Sequence, residues 1–401
     1  MTPLTPVSDA LAQMLAAAVP VAESASRALL DALGCVLVQT VVADVDVPPD
    51  DNSAMDGYAL RAADAGMSLP VSQRIPAGSN PQPLSPGTAA RIFTGAPVPP
   101  GADTVVMQEN CKETDGLLQI QESIAPGDNI RPRGQDIARG ATVLAAGHRL
   151  RPQDLGLLAS IGVAAVEVYR PLRVAVASTG DELVEPGSAG GLCPGQLYNS
   201  NRYLLSGLLQ RLGMEVIDGG ILPDDGPATA AALQDLAGRS DCVITSGGVS
   251  VGEEDHVKAQ VERLGELSLW RLAIKPGKPL AFGQVCGTPF IGLPGNPTSS
   301  FVTFCLIARP WLLRAQGLTD VEPIAMTARA GFAVSRAGTR QEYLRVSLER
   351  EGGELVARRY PNQSSGVLSS VCYSDGLAVV PVGVTVAEGD PLDVILFDSL
   401  V

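Results

Sequence analysis

Residues 241–252 read DCVITSGGVSVG. An apolar run of strand length that stops at a serine and a glycine pair predicts a buried strand ending in a tight loop. The pattern recurs twice, in RVAVASTGDEL (173–183) and in FIGLPGNPTSS (290–300). Between and around these runs the periodicity changes to helical. It does so in NSNRYLLSGLLQRLG (199–213), PATAAALQDLAGR (227–239), DHVKAQVERLG (255–265) and TSSFVTFCLIARPWLLRAQ (298–316). MEVIDGGIL (214–222) and LAFG (280–283) read as further strands. Strand alternating with helix predicts a doubly wound α/β domain over residues 171–318.

Outward from it the texture differs. Residues 5–38 read as helical from Leu11, Met14, Leu15, Leu29, Leu30 and Leu33, and residues 150–165 read as helical again. The stretch between them has short apolar runs broken by proline, glycine and asparagine, which predicts turn-rich β structure. The tail carries QEYLRVSLER, DGLAVVPVG and LDVILF, the pattern of a small β domain. The expected division is 1–44 with 138–170 (helical), 45–137 (inserted, β-rich), 171–318 (α/β) and 319–401 (C-terminal β).

A formal net charge of −14 argues against nucleic acid as the main partner, since binding a phosphate backbone needs a basic surface. Seven widely spaced cysteines, none in a C-x-x-C pair, read as reduced thiols of a cytoplasmic protein rather than disulfides or a zinc site. No apolar stretch is long enough to span a membrane, and the N-terminus has no basic leader.

Ligands of open α/β sheets sit at the carboxyl ends of the strands. Three such ends carry polar loops: Thr179, Gly180, Asp181 and Glu182; Ser246, Gly247, Gly248 and Ser250; Pro294, Asn296, Pro297 and Ser299. Glycine lets backbone N–H groups approach an anion closely. One glycine pair is most simply a tight turn; three such loops in one domain point to a phosphate or nucleotide cleft. AIKPGKP adds Lys275 and Lys278, two of only four lysines against 25 arginines, which suggests that a compact ammonium is wanted there. The acidic residues Asp181, Glu182, Asp224, Asp225 and Asp255 fall near the same strand ends, and carboxylates beside a phosphate site suit Mg²⁺. Read singly, Asp56, Thr94 and Asp136 are turn residues, and Arg345 and Ser365 are surface positions. There is no G-x-S-x-G, and His148 and His256 are the only histidines, so a serine triad is not expected.

The ordered set DNSAMDGYA (51–59), IFTGAPVPPGADTVV (92–106), RPRGQDI (131–137), STGDEL (178–183), DCVITSGGVSVGEEDH (241–256), AIKPGKPLAFG (273–283) and GLPGNPTSS (292–300) resembles the molybdopterin molybdenumtransferase family. This is the MoeA type, related to the E domain of gephyrin. The resemblance implies four domains: a helical N-terminal one, an inserted β-rich one, a pterin-binding α/β domain like that of MoaB and MogA, and a C-terminal β-barrel-like one. It implies a homodimer that ligates molybdate to adenylylated molybdopterin with release of AMP, dependent on Mg²⁺. A molybdopterin adenylyltransferase would act upstream. By motif position it implies catalytic roles for Asp56, Asp136, Glu182, Asp224 and Asp255, and substrate contacts for Thr94, Lys275, Lys278, Ser299, Arg345 and Ser365. Asp181, Glu182 and Asp225 are the expected metal ligands. SVGEEDH departs from the acidic and aromatic run of many members. The alternatives are an adenylyltransferase, which the long N-terminal half and the tail argue against, and a non-catalytic scaffold, which would not need the lysines and carboxylates.

Overall fold

The apolar runs build a six-stranded sheet in the computed structural model, which describes residues 4–21, 23–188, 190–223, 225–248 and 256–400. Its strands are β1 (Arg173–Ser178), β2 (Glu215–Ile221), β3 (Cys242–Ser246), β4 (Gly265–Arg271), β5 (Pro279–Val285) and β6 (Thr288–Leu293), in the spatial order 2-1-3-6-5-4. Strands β2, β1, β3 and β6 are parallel. Every β1 residue from Val174 to Ser178 is buried. Val174 and Val176 join one apolar cluster and Ala175 and Ala177 another, because both faces of the sheet are covered.

Helix α1 (Ser200–Arg211) packs on the first face, and α2 (Gly226–Arg239) and α3 (His256–Leu264) on the second. The first face also takes α4 (Pro297–Thr303) and α5 (Arg309–Ala315), joined by a π-helical turn at Phe304–Ala308. Asn199 and Asp225 cap α1 and α2 by accepting from the Arg202 and Ala228 N–H groups.

The doubly wound expectation holds for the parallel strands and is extended at one edge. Between β5 and β6 stand only Cys286 and Gly287, with φ of 50° and 84°. A two-residue turn of positive φ makes a hairpin and cannot make the long crossover that parallel strands need. Strand β4, which no sequence pattern had marked, then pairs antiparallel with β5.

The tail forms β7 (Ala325–Ala330), β8 (Gln341–Glu351), β9 (Glu354–Arg359), β10 (Gly376–Val380) and β11 (Pro391–Leu396). Their order 8-9-7-11-10 closes through a β8–β10 pairing, so the five strands form a barrel with its own apolar filling. Ile274–Lys275 runs parallel to the start of β8.

The helical reading of residues 5–38 is corrected. Helix is confined to Val7–Ala16, whose Ala10 and Met14 are buried in the larger core. Pro20 lies beyond its end; Ser24–Ala28 is a strand, and Leu29–Ala32 a single 3-10 turn with Leu30 and Leu33 exposed. Apolar spacing had suggested a helix where the leucines in fact face solvent. Chain contacts divide the molecule into two units: residues 1–25, 34–36 and 168–401, and residues 26–33 and 37–167. The second unit is built on a six-stranded sheet of Thr104–Met107, Gly57–Leu60, Ala89–Ile92, Leu69–Ile75, Leu117–Ile120 and Cys111–Thr114, with an apolar cluster on each face.

Candidate active site

Adjacent parallel strands bring their carboxyl ends together, and here β1, β3 and β6 deliver all three glycine-bearing loops to one place. The Thr179 N–H donates to Ser246 O (3.1 Å) and the Gly247 N–H to Leu293 O (3.0 Å), fastening each loop to the next. Gly247 has φ +91° and Gly248 φ +66°. A Cβ at 247 would lie 2.6 Å from Thr179 Oγ1, so the close approach of these loops requires glycine. Beneath them, Ser246 Oγ donates to Ser178 Oγ (3.2 Å), and Ser178 Oγ to Asn199 Oδ1 (3.0 Å). Asn201 Nδ2 donates to Gly295 O (2.8 Å).

The loops surround a cavity of about 1000 Å³. Thr179, Gly180, Asp181, Glu182, Ser246, Gly247, Gly248, Pro294, Asn296, Pro297 and Ser299 line it, as the strand-end argument predicts. Asp224, Ser250 and Asp255 lie outside the described residues. Sequence reasoning missed Tyr198, Asn199, Asn201, Leu222, Gly366 and Leu368. The signal for the asparagines was present: N-S-N at a helix start supplies a cap and a second amide one residue into the helix.

Lys275 and Lys278 are not among the described residues that line this cavity. The PGKP turn does reach the site, for Pro279 lines the cavity and Gly277 packs on Thr303 and Ser299 of α4. The ammonium groups do not line it, and Lys275 is paired with Glu342 Oε1 at 3.0 Å. Among the described lining residues the formal charges are the carboxylates of Asp181 and Glu182, with no lysine or arginine. Asp225 is not in the lining; its carboxylate is engaged as the α2 cap. No three of the described His, Cys, Asp and Glu residues come together as a metal set.

Arg345 is not a surface residue: it is 1% exposed. Its guanidinium donates to Ser370 Oγ (3.1 Å), Tyr343 O (3.2 Å) and Ser364 O (3.4 Å), and burial pulls its pKa down to about 10. Ser365 O in turn accepts from the Thr298 N–H at the start of α4 (3.0 Å). Arg345 and Ser365 thus hold the 363–368 loop, whose Gly366 and Leu368 line the cavity.

In the second unit, Asp56 Oδ1 accepts both the N–H and the hydroxyl of Thr94, each at 2.7 Å. These donations, with the field of Arg91, hold the Asp56 carboxyl below its usual range. Asp136 is exposed, and its N–H donates to Val47 O (2.9 Å).

Three family descriptions match the chain consecutively: "MoeA N-terminal region (domain I and II)" over residues 5–162, "Probable molybdopterin binding domain" over 175–314, and "MoeA C-terminal region (domain IV)" over 327–397. A molybdopterin molybdenumtransferase of Haemophilus influenzae is 40% identical over 358 residues, 88% of each chain. The chain belongs to the molybdopterin molybdenumtransferase family.

A second relative, molybdopterin molybdenumtransferase 2 of Mycobacterium tuberculosis, is 39% identical over 91% of this chain and 93% of its own. A solved molybdopterin biosynthesis MoeA protein of Pyrococcus horikoshii OT3 superposes with a TM-score of 0.86 at 29% identity, over 98% of this chain and 100% of its own. The family fold, with a β-rich N-terminal portion, a MogA-like α/β domain and a five-stranded barrel, is the architecture described above.

Proposed function

We propose that the strand-end cavity holds the phosphate-bearing part of adenylylated molybdopterin, and that the chain ligates molybdate to this substrate with release of AMP. The chain is a molybdopterin molybdenumtransferase of molybdenum cofactor biosynthesis. The observation that carries the finer reading is the convergence of three glycine-turn loops on one cavity of about 1000 Å³. Such loops suit anionic oxygens.

A dianionic substrate beside Asp181 and Glu182, with no cation in the described lining, calls for a counter-ion. Mg²⁺ fits this donor set, because it is held by one or two carboxylates plus substrate phosphates and keeps several waters. Asp181 and Glu182 would hold it, and it would supply charge neutralisation at the phosphate. Thr179, Asn296 and Ser299 offer hydroxyl and amide groups along the lining for orienting the substrate. Asp56, kept ionised by its two Thr94 donations, presents a fixed negative charge on the second unit. This reading carries with it a cytoplasmic homodimer supplied by an upstream adenylyltransferase.

The test is incubation of the purified chain with adenylylated molybdopterin, molybdate and Mg²⁺. AMP release matched by molybdenum incorporation is expected. Formation of an adenylyl adduct from ATP and molybdopterin, without need of molybdate, overturns the reading in favour of an adenylyltransferase.

A further inference from the structure

The second unit carries two arginines that stand side by side on one face of its sheet. Arg74 and Arg91 are register partners on neighbouring parallel strands, Leu69–Ile75 and Ala89–Ile92, so their side chains share a face of the sheet. Like charges set directly opposite one another are destabilising. Several arginines of this acidic chain take carboxylates: Arg133 takes Asp46, Arg151 takes Asp154, and Arg170 takes Asp241. Neither Arg74 nor Arg91 has a carboxylate within 4 Å among the described residues.

Phe93 holds them together instead. The Arg74 Cζ lies 4.5 Å and the Arg91 Cζ 4.8 Å from the centre of its ring, and Arg91 also lies 5.0 Å from that of Tyr58. Arg91 is further fixed by donating to Gly57 O (3.1 Å) and to Gln108 Oε1. Arg74 has no hydrogen-bond acceptor among the described residues, so its fork of five donors remains available. The strands end close to Thr94 and Asp56, and Asp56 feels the field of Arg91. Stacking on an aromatic ring fixes a guanidinium in place without consuming its in-plane donors.

We propose that Arg74 and Arg91 form an oxyanion seat on the β-rich unit, taking a tetrahedral dianion, either free molybdate or the phosphate of a nucleotide. The seat stands on the guanidinium pair alone. Only the choice between molybdate and phosphate rests on the function proposed above.

The test is calorimetric titration of the full chain, free of Mg²⁺ and at low salt, with sodium molybdate in one arm and AMP in the other. The same titrations are run on Arg74→Gln, Arg74→Lys and Arg91→Gln. Arg74→Gln should weaken binding in one arm by about tenfold, the lower range for a charge-assisted hydrogen bond at an exposed site. Arg74→Lys, which keeps the charge and loses the fork, should fall between. The weakened arm identifies the source, molybdate or nucleotide. Superimposable curves for wild type, Arg74→Gln and Arg91→Gln in both arms overturn the seat. Because the Arg74 guanidinium has no hydrogen-bond or ion-pair partner among the described residues, Arg74→Gln should melt with the wild type; Arg91→Gln gives a second, independent removal of charge. Failure of the molybdenum-insertion assay with these titrations intact would sink the proposed function and leave the seat standing.

Discussion

A methyl group at position 247 would meet Thr179 Oγ1 at 2.6 Å and Thr179 O at 2.9 Å, on a backbone with φ +91°. Relief requires moving the β1 or the β3 loop, and either motion opens the cavity. Gly247→Ala should therefore cost about 1–3 kcal/mol, the range for strain at a special backbone position. The loss should appear in urea titrations, with molybdenum insertion reduced more than stability. A variant with wild-type stability and turnover would show that the loops do not need this approach. The acidic pair makes a separate claim. Asp181→Asn with Glu182→Gln removes both formal charges of the described lining. The Mg²⁺ concentration for half-maximal activity should rise by at least about tenfold, as for loss of a charged oxygen ligand. An unchanged Mg²⁺ requirement would place the metal elsewhere.

At the scale of elements, the strands that lead into the site were legible because each is buried on both faces and reads as an unbroken apolar run. The closing of the tail into a barrel was less legible, since a β8–β10 pairing joins segments whose local patterns say nothing of each other. Arg345 illustrates the limit. Its alternating strand reads as half-exposed, yet residues 360–370 fold over it and take its donors on the Ser364 carbonyl and the Ser370 hydroxyl, while a third goes to the Tyr343 carbonyl of its own strand. The lysine pair shows a different limit: scarcity marked a turn that reaches the site, but says nothing of the pairing of Lys275 with Glu342 on β8. Arg345→Ala should destabilise the barrel by about 3 kcal/mol, because buried acceptors lose a charged donor. It should also raise KM through the loosened Gly366–Leu368 wall. Arg345→Lys, whose single nitrogen cannot reach acceptors spread around the three guanidinium nitrogens, should recover only part of either loss. Full recovery with lysine would mean that charge alone matters at this position.

At the scale of the molecule, each unit has its own apolar clusters, and the two should unfold as separate cooperative steps. Asp154 gives a handle on one of them. Its carboxylate is buried and accepts from the Arg151 N–H (2.8 Å), the Arg151 guanidinium (2.9 and 3.0 Å) and His148 Nε2 (2.8 Å). Donation by Arg151, then by His148, holds its pKa well below the usual carboxylate value. A folded pKa lower than the unfolded one contributes stability that is complete above the unfolded value near 4 and is lost as the pH falls below it. Scanning calorimetry at neutral pH should resolve two transitions. Asp154→Ala should lower one of them by several degrees, the effect of about 2 kcal/mol on a domain of this size. The other should stay in place and move instead with Arg345→Ala. Acidification from pH 5 to pH 3 should then begin to narrow the gap between wild type and Asp154→Ala, since the unfolded wild-type chain takes up a proton at Asp154 that the folded carboxylate, with its depressed pKa, does not bind. A single transition shifted equally by both substitutions would mean that the units share one cooperative core.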